Sequence, residues 1–79
     1  MTHTRQHTDH HAIAAQARRQ PLTWVLVCYP KDRQAAMSQV HRIHTGVHKA
    51  YRTGAYEARH DRDVLGVPRV WNRWMGGAR

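Results

Sequence analysis

The chain has 79 residues, room for one domain and too few for a large multidomain enzyme; a chain of this size buries only about 60% of the surface that its unfolded form exposes. Hydrophobic residues make up 41% and aromatic residues 8%, and the mean hydropathy is -0.81, so a small core with loose ends is expected. Thirteen Lys and Arg against five acidic residues give a net charge of +8 with histidine neutral, which points to polyanions or acidic protein surfaces as partners.

Residues 1–21 read as a His-rich basic arm. Met1 to His11 carries almost nothing apolar, while Thr8 or Asp9 offers a cap for a short helix through Ile13, Ala14, Ala15, Ala17 and Arg19 that Pro21 would stop. About ten residues without packing are marginal as a helix in water, so this one is expected to be frayed or to form on a partner.

Thr23–Tyr29 is β-branched, aromatic and nearly continuous in apolar character before Pro30, the pattern of a buried strand. Asp32 is placed to cap a helix whose apolar residues Ala36, Met37, Val40 and Ile43 recur at helical spacing. Gly46 is its expected stop, although Val47 and Tyr51 continue the spacing and leave open a run to Gly54, with Gly46 costing such a helix about 1 kcal/mol.

From Ala55 the period becomes two. Tyr56, Ala58 and His60 point one way and Ala55, Glu57 and Arg59 the other, as in a half-buried strand. Asp61–Pro68 turns the chain in a long loop, and Arg69–Met75 is a third strand, with Trp71, Arg73 and Met75 on one side and Val70, Asn72 and Trp74 on the other. The expected fold class is therefore α+β: residues 22–79 in the order β-α-β-β, one helix packed on a three-stranded sheet, with an extended or partly helical N-terminal arm. One sheet face is left to solvent or a partner. Three Trp and three Tyr cannot all fit beneath one short helix, so at least one Trp is expected to be exposed or in an interface.

Ile43-His44-Thr45-Gly46, Ala50-Tyr51, Gly54-Ala55-Tyr56-Glu57-Ala58, Val70 and Arg73-Trp74-Met75-Gly76 together resemble a group of small basic accessory proteins of actinobacterial phages. The resemblance covers residues 23–77. It implies a protein acting in the host cell cytoplasm and carries over no activity and no catalytic residue. Cys28 and the His-rich helix and tail depart from the group's pattern.

Three chemistries can be weighed on the residues. Eight cations, among them Arg33 and Arg62, are interleaved with Tyr51 and other aromatics; the residues expected to bind nucleic acid or an acidic host protein are Arg42, Lys49, Arg52, Tyr56, Arg59, Arg69, Trp71, Arg73 and Trp74. Cations would hold phosphates while rings stack on bases. His41, His44 and His48 fall within one arc of a regular helix, but Thr45 stands where a zinc-binding His-Glu-x-x-His helix has its Glu, and Gly46 interrupts the run, so no metal site and no cofactor are expected. Catalysis would need Asp61 with Asp63, or Cys28 with a histidine; neither makes a recognisable constellation, and Cys28 lies in the most apolar stretch, so no enzyme is expected.

The alternative function is a protein-protein inhibitor or adaptor that binds a host factor through exposed Trp or Tyr with an Arg rim. A single cysteine fits a reducing, cytoplasmic setting, and the apolar run Trp24–Tyr29 falls far short of a membrane span. Surplus aromatics on an open face also suggest a weak homodimer, favoured as salt screens the charge.

Overall fold

The computed structural model describes residues 8–52 and 55–75. It is an α+β fold of two helices and a three-stranded antiparallel sheet, in chain order α1 (His10–Arg19), β1 (Val25–Cys28), α2 (Arg33–Thr45), a 3-10 turn (Lys49–Tyr51), β2 (Tyr56–Arg62) and β3 (Pro68–Trp74). The sheet order is β1-β3-β2, so the last strand lies between the other two. Both helices lie on the sheet face that carries Val25, Val27, Tyr56, Ala58 and Val70, where they enclose the core with Ala14, Ala17, Ala36, Ile43 and Tyr51.

The element order departs from β-α-β-β at its start. The segment read as an arm is a docked helix from His10 onward: Asp9 caps it by accepting from the Ala12 N–H, and Ala14 and Ala17 are 1% and 0% exposed. Its docking face is small rather than strongly apolar, and it is fixed by polar contacts far away in sequence. The Tyr56 hydroxyl donates to the Ala14 carbonyl at 3.4 Å and receives Arg18 Nη1 at 2.7 Å, while the Tyr51 hydroxyl lies 2.9 Å from His10 Nδ1. Residues 1–7 of the expected arm lie outside the described residues.

α2 begins at Asp32, whose carboxylate accepts from the Ala35 N–H at 2.8 Å, and ends at Gly46 in the left-handed conformation, φ 71°. The run to Gly54 does not occur, because a left-handed residue cannot continue a right-handed helix. His48 then caps the 3-10 turn by accepting from the Ala50 N–H at 3.1 Å, which carries Tyr51 into the core at 1% exposed.

The β2–β3 hairpin is tighter than expected. Its ladder reaches from Tyr56↔Trp74 to Arg62↔Pro68 and leaves a five-residue turn, Asp63–Val67. One Asp63 oxygen accepts from both Leu65 and Val67 N–H groups, and Gly66 adopts φ 83°. These side-chain bonds add to two backbone bonds, Asp63 N–H to the Val67 carbonyl at 3.0 Å and Gly66 N–H to the Asp63 carbonyl at 2.9 Å, and together they close the hairpin early. On the other side of β3, Leu26↔Trp71 is followed by Cys28↔Val70, a bulge that turns both Val27 and Cys28 toward the core. Among the described residues no helix is long and apolar enough to cross a membrane.

Candidate nucleic-acid interface

With the helices on one face, no described element covers the other. Alternation along the strands puts Leu26, Glu57, Arg59, Asp61, Arg69, Trp71 and Arg73 there, and Trp24, just before β1, lies over the same face. The guanidinium carbon of Arg59 is 4.6 Å from the Trp24 ring centroid and that of Arg73 is 4.5 Å from it. Arg69 stacks on Trp71 at 5.1 Å. Indole rings and guanidinium planes thus form one continuous stacking surface across the three strands.

Acidic residues hold that surface in place. Asp61 accepts from Arg69 Nε and Nη2 at 2.9 Å each and from Trp71 Nε1 at 3.1 Å, and the Arg69 guanidinium keeps its carboxyl below the ordinary range. Arg73 Nε donates to Glu57 at 2.8 Å. Among the described residues Arg59 is the Arg of this face that makes no ion pair; it stacks on Trp24, and its charge adds to the lowering of the Asp61 carboxyl.

The residues expected to bind divide into three groups. Arg59, Arg69, Trp71 and Arg73 come together on the open face. Tyr56 and Trp74 do not: Tyr56 is 7% exposed beneath α1 and Trp74 packs against the core, because the period of two that brings Trp71 outward turns both of these inward. Tyr51 is likewise a core residue. Arg42, Lys49 and Arg52 are exposed on the helix side, with Arg33. Trp24 falls within the stretch Thr23–Tyr29 expected as a buried strand and so does not stand out as a surface residue; its spacing of two from Leu26 is the available signal.

Charge is split between the two sides. From residue 8 to 52 seven Lys and Arg face two carboxylates, both occupied as helix caps, whereas from 55 to 75 four Arg face three carboxylates. Both ion pairs among the described residues belong to the sheet face.

His41, His44 and His48 do not form a stripe, because Gly46 ends the helix before His48. His48 instead meets His10, with ring centroids 4.3 Å apart, and His11 at 6.1 Å. Among the described residues no group of three or more His, Cys, Asp or Glu is placed to hold a metal ion. Burial pushes the Cys28 thiol up, away from the reactive thiolate.

Comparison of the chain with protein-family models, with curated proteins and with solved structures finds no match.

Proposed function

We propose that this protein is a nucleic-acid-binding module whose working surface is the open sheet face, and that it acts by binding and not by catalysis. The observation that carries the reading is the stack of Arg59 and Arg73 on Trp24 beside Trp71, on a face that no described element covers. Rings and guanidinium planes stack on bases of any sequence, and a chain of net charge +8 is drawn to phosphate from a distance. The resemblance to phage accessory proteins would place the encounter in a host cell. Fluorescence anisotropy with labelled oligonucleotides at low salt tests the proposal; binding that Arg59→Ala weakens supports it, and no binding to any oligonucleotide refutes it.

A protein partner is the second reading, and the hairpin tip favours it. Val64 and Leu65 are 99% and 84% exposed on a turn that Asp63 holds in place, a preorganised apolar anchor for a concave partner. A lysate pull-down with and without nuclease separates the readings: a partner that survives nuclease and is lost on Leu65→Ser belongs to the second.

A further inference from the structure

Resting on the nucleic-acid reading, we infer that the sheet face takes single-stranded segments with unpaired bases and does not bind the outside of a duplex. A duplex presents phosphates to a flat surface, with its bases stacked inside. The sheet face is poorly suited to phosphates, since Arg69 and Arg73 are already held by Asp61 and Glu57, and among the described residues of this face Arg59 alone is an Arg outside an ion pair. It is well suited to bases. Trp24, with the Arg59 and Arg73 guanidiniums over it, and Trp71, with that of Arg69 over it, present planar groups across three strands about 5 Å apart, enough for about two or three unstacked nucleotides.

Arg59 apart, exposed cations that make no ion pair among the described residues lie on the opposite side, Arg33, Arg42, Lys49 and Arg52 among them. A duplex drawn to the protein by charge would meet that side, and its binding would carry the steep salt dependence of phosphate contacts. Single-strand binding on the sheet face would be governed by stacking and respond little to salt. Base recognition and long-range attraction are thus assigned to opposite surfaces of one small domain.

The test uses the full chain with single-stranded oligonucleotides of about ten nucleotides and with duplexes of the same sequences, over a salt series, reading anisotropy and tryptophan quenching. Expected results are single-strand binding at least tenfold tighter than duplex binding near physiological salt, quenching by the single strand alone, and about a tenfold or greater loss on Trp71→Ala, with Trp71→Phe retaining most of the affinity. Replacing Arg42, Lys49 and Arg52 together by Gln should flatten the salt dependence of duplex binding and leave single-strand quenching in place. Trp24→Ala provides the same test should Trp71→Ala not fold. Duplex binding as tight as single-strand binding, or single-strand binding indifferent to both Trp24→Ala and Trp71→Ala, overturns the inference while the nucleic-acid reading stands. Absence of all binding at low salt removes the reading itself.

Discussion

The rings of His10 and His48 lie with their centroids 4.3 Å apart and join the first helix to the turn that follows the second. Burial lowers the pKa of each, and so do the nearby His11 and the Arg42 guanidinium; His48 also lowers that of His10, which only Asp9 pulls the other way. His48 Nδ1 also accepts the Ala50 N–H, so a proton there costs that hydrogen bond.

Stability should follow from this pair with a definite sign. The folded values lie below the ordinary 6.5, so the unfolded chain takes up protons first. The contribution is complete above about pH 7 and is lost as pH falls through 6.5 toward the folded values. Thermal unfolding between pH 8 and pH 5 should show this loss, and the double variant His10→Gln with His48→Asn, whose Asn can still cap the turn, should show a flatter profile. Equal slopes in the two proteins would mean that the histidines are not the responsive groups.

Docking of the first helix can be tested by overpacking. Ala17 is fully buried and Ala12 is exposed, on the same helix. Ala17→Leu should cost about 1–3 kcal/mol in urea denaturation, whereas Ala12→Leu should change little. A loosely attached helix would accept both equally.

Two residues with a similar positive φ should respond in opposite ways. Gly46 has φ 71° and an added Cβ would meet only ordinary contacts, so Gly46→Ala is expected to cost about 1–2 kcal/mol through the backbone alone. Leu22 has φ 67° and is 59% exposed, so Leu22→Gly should relieve strain and stabilise by up to about 1 kcal/mol. Denaturation midpoints of the two variants should move to opposite sides of the parent protein.

Asp61 holds Arg69 and Trp71, yet it lies at the surface, where an ion pair contributes little to stability. Asp61→Asn should leave the unfolding midpoint nearly unchanged, release the Arg69 charge, and steepen the salt dependence of single-strand binding by about one phosphate contact. Titration of binding against salt for both proteins measures this. An unchanged slope would show that Arg69 does not reach the ligand.

What the sequence made legible was local. The alternation at Tyr56–Ala58, the Asp32 cap and the Gly46 stop each act within a few residues, and the elements they define appear where the pattern places them. The docking of α1 was hidden because Ala14 and Ala17 give little apolar signal, and because its fastenings join residues about forty positions apart, His10 to Tyr51 and Arg18 to Tyr56. The same limit applies to the site. Trp71 and Arg73 could be assigned to one face from the pleat, but the approach of Arg59 to Trp24 spans three strands, and only the folded sheet brings them together.

The central position of β3 also governs when this chain can fold during synthesis. A nascent chain extended to Arg62 already has both helices and both outer strands, yet β1 and β2 pair only with β3 and have no hydrogen bonds to each other. Until residues 68–74 emerge from the ribosome, Tyr51, Tyr56 and Val25 have no third strand to close over them. Closure of the sheet must therefore follow translation of the hairpin, and a ribosome stalled before Pro68 would hold out an incomplete sheet for chaperones or proteases to bind.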